Sequence, residues 1–224
     1  MNRLIPPIWL SALATLAFAP FACTAGNADV LTVRVLGPDQ EPVPEVAISV
    51  EQVGVSRSDT AEPGLATMSQ IDREFSPHML VIETGTSVEF PNRDTVAHHV
   101  YSFSKPNDFI LPLYKGDDAR PVTFTANGVA ILGCNIHDHM VGYIVVVDTD
   151  AFGITDEAGV VELEVSDAAT EFVVNGWGPR IKRSDLPLSK RLDADSPGDV
   201  VFTLSKAPSV RASRRKGSVA WDDY

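Results

Sequence analysis

Through most of the chain, short runs rich in valine, isoleucine, threonine and phenylalanine are separated by glycine, proline, asparagine and aspartate. Branched and aromatic side chains suit a pleated, half-buried strand, and the intervening residues suit turns. Eleven such runs stand out, at residues 30–36, 46–51, 79–83, 87–90, 98–103, 121–125, 129–134, 143–148, 160–165, 171–175 and 200–204. There is no heptad pattern, long helical period or internal repeat, so the sequence predicts an all-β protein. Asn127-Gly128, between two of the runs, predicts a hairpin turn.

The first 28 residues follow another pattern. Arg3 is their only charge, Leu4 through Phe18 is largely apolar, and small residues follow, including Cys23-Thr24-Ala25 and Gly26-Asn27-Ala28. A positive start, an apolar centre and small-residue cleavage sites read as a secretory signal, which places the mature chain in the periplasm. A rival reading makes Cys23 a lipid-bearing N-terminus; Ala22 suits it, but Pro20 and Phe21 do not. No later stretch is apolar for long enough to span a bilayer.

The rest divides into a unit at 68–149, flanking parts at 29–60 and 150–205, and a polar, disordered tail at 206–224. The stretch from Gly54 to Gly64 is linker-like. Residues 33–50 and 154–163, each built around a strand and a turn, resemble parts of a transthyretin-type, carboxypeptidase-regulatory-like sandwich. That resemblance implies that the middle unit is inserted between strands of the flanking one, as closely spaced domain termini permit.

Formal net charge is −12, and loss of a leader carrying only Arg3 makes the processed chain one unit more negative. Such a surface excludes nucleic acid as a partner and favours a protein with a basic docking surface. Arg211, Arg214, Arg215 and Lys216 cluster in the tail, where they read as a disordered end. Of the two cysteines, Cys23 leaves with the leader or carries a lipid, so Cys134 stands alone and no disulfide framework exists. A lone exported thiol is open to oxidation unless something occupies it, and a metal would.

Cys134-Asn135-Ile136-His137-Asp138-His139-Met140 follows the apolar run Val129-Ala130-Ile131-Leu132-Gly133. The chain thus offers a thiolate, an imidazole and a thioether just past the end of a buried strand. Asn92-Arg93-Asp94-Thr95-Val96-Ala97-His98-His99-Val100 brings further imidazoles at the start of another strand. Adjacent strand residues face opposite sides, so only one of His98 and His99 can point at an ion held with Cys134. Two imidazole nitrogens, a thiolate and a weak thioether make the donor set of a blue-copper electron-transfer site.

On these two segments the chain resembles the cupredoxins, nearest the amicyanin and plastocyanin branch. It is also similar to cupredoxin-like proteins labelled methylamine utilisation proteins. The resemblance covers residues 70–149 and implies a Greek-key β-sandwich holding one type 1 copper. It implies His98, Cys134, His137 and Met140 as metal ligands, with Asn92 pinning the ligand loops by hydrogen bonds. His99, where the family usually has Asn, and Asp138-His139, in place of apolar loop residues, are departures.

The expected function is that of a one-electron carrier, not an enzyme, cycling Cu(I) and Cu(II) for a redox partner protein. Copper enzymes that wire a type 1 site to a catalytic copper use a histidine beside the cysteine, whereas Gly133 and Asn135 flank Cys134. A dinuclear copper site needs two cysteines. The alternative is a copper-binding or delivery module, although such modules favour methionine or cysteine clusters and the whole chain has four methionines. Zinc suits the cysteine and histidines but not a thioether. His139 and Asp138 read as solvent-facing, and His78 as lying near the junction of the two units.

Overall fold

The computed structural model describes residues 28–55, 64–195 and 198–209. The leader with Cys23, most of the linker-like stretch and the basic cluster near the C-terminus lie outside the described residues. The chain begins with β1 (Ala28–Leu36) and β2 (Ala47–Val53), followed by the short strands β3 (Leu65–Thr67), β4 (Ser69–Ile71) and β5 (Glu74–Ser76). Next come β6 (Met79–Glu83), β7 (Ser87–Glu89), β8 (His98–Ser102), β9 (Phe109–Tyr114), β10 (Val122–Thr123), β11 (Gly128–Gly133) and β12 (Val141–Val147). The last strands are β13 (Phe152–Ile154), β14 (Val160–Ser166), β15 (Glu171–Trp177), β16 (Leu188–Asp193) and β17 (Val200–Thr203), with one short 3-10 turn at Arg183–Asp185.

Two cores organise these strands. In the middle of the chain a five-stranded sheet, β6-β12-β11-β8-β9, faces a smaller one, β10-β7-β3. Alternation decides what each strand gives to the space between them. From β8, His98, Val100 and Ser102 point inward; from β11, Ala130 and Leu132; from β12, Ile144 and Val146. Phe90, Phe124 and Phe75 fill the remainder, giving one continuous apolar core from Met68 to Val146. Successive strands switch sheets between β6 and β7 and between β10 and β11, which wraps the chain around that core.

The second core is built from both ends of the described chain. The sheet β14-β1-β17 packs against β13-β2-β15-β16 around Val33, Ile48, Leu163, Phe172, Val174 and Phe202. The two cores meet through a third cluster. Met79, Val145 and Val147, on the outward face of the five-stranded sheet, pack with Ala47, Phe152 and Trp177. A polar contact borders this junction: the His78 ring nitrogen lies 2.6 Å from Glu45. His78 also meets Tyr143 edge to face.

One expectation is corrected. Asn127-Gly128 is a turn, with Gly128 at φ +134°, but it closes no hairpin. β10 pairs with β7, whereas β11 pairs with β12 and β8. Both flanks of the turn carry buried residues, Phe124 and Ala130, and opposite sheets bury them on either side of one core. At the C-terminal end, Ser209 is tied down by a 2.9 Å bond from its amide to the Arg180 carbonyl.

Candidate metal centre

His98 opens β8, and Cys134 follows β11 directly. These two strands are antiparallel neighbours, Gly133 lying opposite Tyr101 and Leu132 opposite Ser102. The start of one strand therefore sits beside the end of the other. The Cys134 sulfur lies 3.8 Å from His98 Nδ1 and 3.8 Å from His137 Nδ1. One donor atom from each of the three residues falls within 4.8 Å of the other two, a group that can hold a metal ion.

The loop from Cys134 to Met140 is short because the Met140 amide bonds the His137 carbonyl at 2.9 Å. That turn brings Met140 into the same apolar core as Cys134. His98 is 0% exposed, Met140 1% and Cys134 3%, whereas His137 is half-buried. Three of these four side chains are buried, and His137 is the one that meets solvent. Ile136, exposed beside it, is the apolar residue of this loop surface. A depression of about 510 Å³ lined by Tyr101, Phe103, Ile131, Cys134 and Met140 opens on the sheet side.

The orientation of His98 is fixed from behind. Its Nε2 lies 2.7 Å from Asp94 Oδ2. A carboxylate can only accept, so Nε2 carries the proton and Nδ1 keeps its lone pair toward Cys134. Asp94 is itself held by the Asp72 amide at 2.7 Å and the Arg73 amide at 2.9 Å. Both donors belong to the β4–β5 turn, where Asp72 and Arg73 adopt φ of 56° and 61°. Those left-handed conformations cost energy for residues with a Cβ, and they aim two amides at one carboxylate. Burial pushes the Asp94 carboxyl up, but the Arg73 amide and the His98 ring outweigh it and hold the group below the ordinary aspartate value. Burial also lowers His137, with the neighbouring Arg73 guanidinium acting in the same direction, which favours the neutral imidazole a metal needs.

The expected site residues are thus placed as follows. His98, Cys134 and His137 converge, and Met140 is buried in the core beside them. His99 points away, half-buried, and its Nδ1 has no hydrogen-bond partner among the described residues. His139 is exposed, its ring 6.0 Å from that of His137, and Asp138 is exposed too. Asn92 works on the His98 side alone. Its amide donates to the carbonyls of Val96 at 2.9 Å and Tyr114 at 3.0 Å, and its oxygen accepts the Asp94 amide. Among the described residues none of its side-chain bonds reaches the 134–140 loop. Asp94 and the Asp72-Arg73 turn were not singled out from the sequence. The only signal was an aspartate four residues before His98, and aspartate is common in loops.

No family model and no curated protein matches the chain. Solved structures that resemble part of it include cupredoxins and a copper-containing enzyme. A Cu-containing nitrite reductase from Thermus scotoductus SA-01 is 28% identical over 44% of this chain and 26% of its own, with a TM-score of 0.37. A purple cupredoxin from Nitrosopumilus maritimus is 26% identical over 37% of this chain and 99% of its own, with a TM-score of 0.34. A reduced amicyanin mutant is 20% identical over 45% of this chain and 98% of its own, also at 0.34. The middle unit itself is a β-sandwich of a five-stranded and a three-stranded sheet. The chain spans about a quarter of the nitrite reductase and nearly all of each small cupredoxin.

The donor set fits copper. One soft sulfur and two imidazoles serve both Cu(I) and Cu(II), and no carboxylate competes within the triad.

Proposed function

We propose that the protein is an exported one-electron carrier holding a single type 1 copper. In this reading His98, Cys134 and His137 would be the strong ligands and Met140 a weak fourth donor. Bound copper would supply the Cu(I)/Cu(II) couple. The protein's own residues do the rest. Cys134 provides a thiolate inside an apolar core, where dryness and few hydrogen bonds tune a potential. Asp94 fixes the tautomer and direction of His98, and the β4–β5 turn fixes Asp94. Because His98 and Cys134 stand at the ends of paired strands, the ligands shift little when charge changes.

The observation that carries the reading is the convergence of three donor atoms within 4.8 Å at one end of a buried sheet. His137, at the solvent edge, is the part of the site that a redox partner can approach. The strong negative charge favours a partner with a basic docking surface, and export to the periplasm accords with the leader. Among the described residues no helix is long and apolar enough to cross a membrane. The alternative is copper delivery. Burial of Cys134 and Met140 disfavours it, because a delivery site must release its metal to an incoming ligand.

Titration of the metal-free protein with copper(II) tests this. An intense thiolate-to-copper visible band, a narrow copper hyperfine pattern in EPR and reversible voltammetry are expected. A colourless product overturns the type 1 assignment. Rapid loss of copper to a competing chelator, without reversible voltammetry, would favour delivery.

A further inference from the structure

The junction between the two cores is incompletely filled. A cleft of about 520 Å³ runs between β12 and the sheet containing β2 and β15. Its walls include Ile48, Val145, Val147 and Leu188, none more than 8% exposed, and its mouth is open to solvent. Two small residues of β2, Ala47 and Ser49, line it where bulkier ones could close it. Trp177 adds an aromatic wall, its ring packed 5.5 Å from that of Tyr143.

Water is poorly accommodated by such walls, which offer few hydrogen-bond partners. Clefts of this size at the meeting of two cores, mostly apolar with a few polar groups, are where small molecules bind. One charge selects among them. Arg183, exposed on the 3-10 turn, borders the cleft and has no carboxylate within ion-pair distance among the described residues.

We propose that this cleft binds a small amphipathic carboxylate, its apolar body against Trp177, Val145 and Val147 and its negative group at Arg183. The site is separate from the metal centre and independent of it. Ala47 and Ser49 leave room for an alkyl or aromatic body. The guanidinium offers the paired donors that a carboxylate accepts.

Octanoate and its neutral counterpart octanamide are the probes, titrated into the full chain and followed by two-dimensional amide and indole NMR. Octanoate should shift Ile48, Val147, Gly176 and the Trp177 indole together. It should bind roughly three- to tenfold more tightly than octanamide, the scale of one exposed charge pair. Arg183→Gln should erase that preference and leave octanamide binding unchanged, whereas Ser49→Leu should weaken both probes by filling the cleft. Equal affinity for the two probes in the unaltered chain overturns the proposal. So do shifts confined to the exposed Phe103, Ile110 and Ile131 surface, or binding that needs removal of residues 210–224. The last result would assign the cleft to the chain's own tail.

Discussion

Cys134 has two imidazole nitrogens at 3.8 Å and an apolar core around it, so its chemistry depends on what those nitrogens share with it. Cys134→Ser replaces the one soft, strongly donating ligand. The visible band of a copper-loaded sample should vanish, and full retention of colour would remove Cys134 from the ligand set. His98→Gly should bleach the band as well, while His99→Gly should leave it, because strand alternation turns His99 out of the site. The reverse pattern would place the ligand one residue along. Asp94 acts at one remove. Asp94→Ala frees Nε2 of His98 and lets the ring turn or change tautomer, so copper affinity should fall about 10- to 100-fold. Competition with a chelator measures the affinity. The metal-free variant should also show a displaced His98 ring signal by NMR, a readout that needs no metal. The three converging donors were legible in the sequence because chemistry-bearing residues sat at strand ends in two short segments. Asp94 was not, because nothing local marks which of many loop carboxylates will face a buried imidazole.

At the level of elements, the runs of branched residues located the strands that carry them, the edge strands β6, β14 and β17 included, and missed those without them. β11 and β12, paired along most of their length in the middle of the five-stranded sheet, were predicted within a few residues. β9 was missed because Pro112 interrupts Phe109–Tyr114, yet β9 is an edge strand, where proline is tolerated. β16 was missed because Leu188–Asp193 is mostly polar, which also suits an edge. The short strands β3, β4 and β5 have three residues each, too few for any periodicity to show. Turns behave likewise: Asn127-Gly128 announced a turn but not which sheets it joins. Gly159 is a turn whose need is explicit. It has φ +68°, and an added Cβ would lie 2.6 Å from the Val35 carbonyl oxygen and 2.8 Å from the Val43 amide. Gly159→Ala should therefore cost about 2–4 kcal/mol, combining left-handed strain with overpacking against backbone. Urea unfolding followed by circular dichroism measures it, and a loss below 0.5 kcal/mol would mean that the β13–β14 connection relaxes freely.

For the whole molecule, the deciding feature is that the five-stranded sheet is covered on both faces. Its inner face carries the candidate metal site, while the outward residues Met79, Val145 and Val147 are buried because the second core covers them. Covering a valine contributes about 1.5–3 kcal/mol, so the flanking strands stabilise the face that opposes the site without supplying any donor to it. All three converging donors lie between residues 98 and 137. Residues 64–149 produced alone should therefore still take up copper and show the same visible band, yet self-associate through the bared strip on β6 and β12. Light scattering should report oligomers of that fragment at concentrations where the full chain is monomeric. Val145→Thr with Val147→Thr should shift the fragment back toward monomer, since threonine keeps the branched shape a strand favours while lowering the gain from burial. A fragment that stays monomeric without those changes would show that the flanking core is not needed to cover this face. The loss of colour from a monomeric, folded fragment would show instead that the second core shapes the ligand geometry through β12.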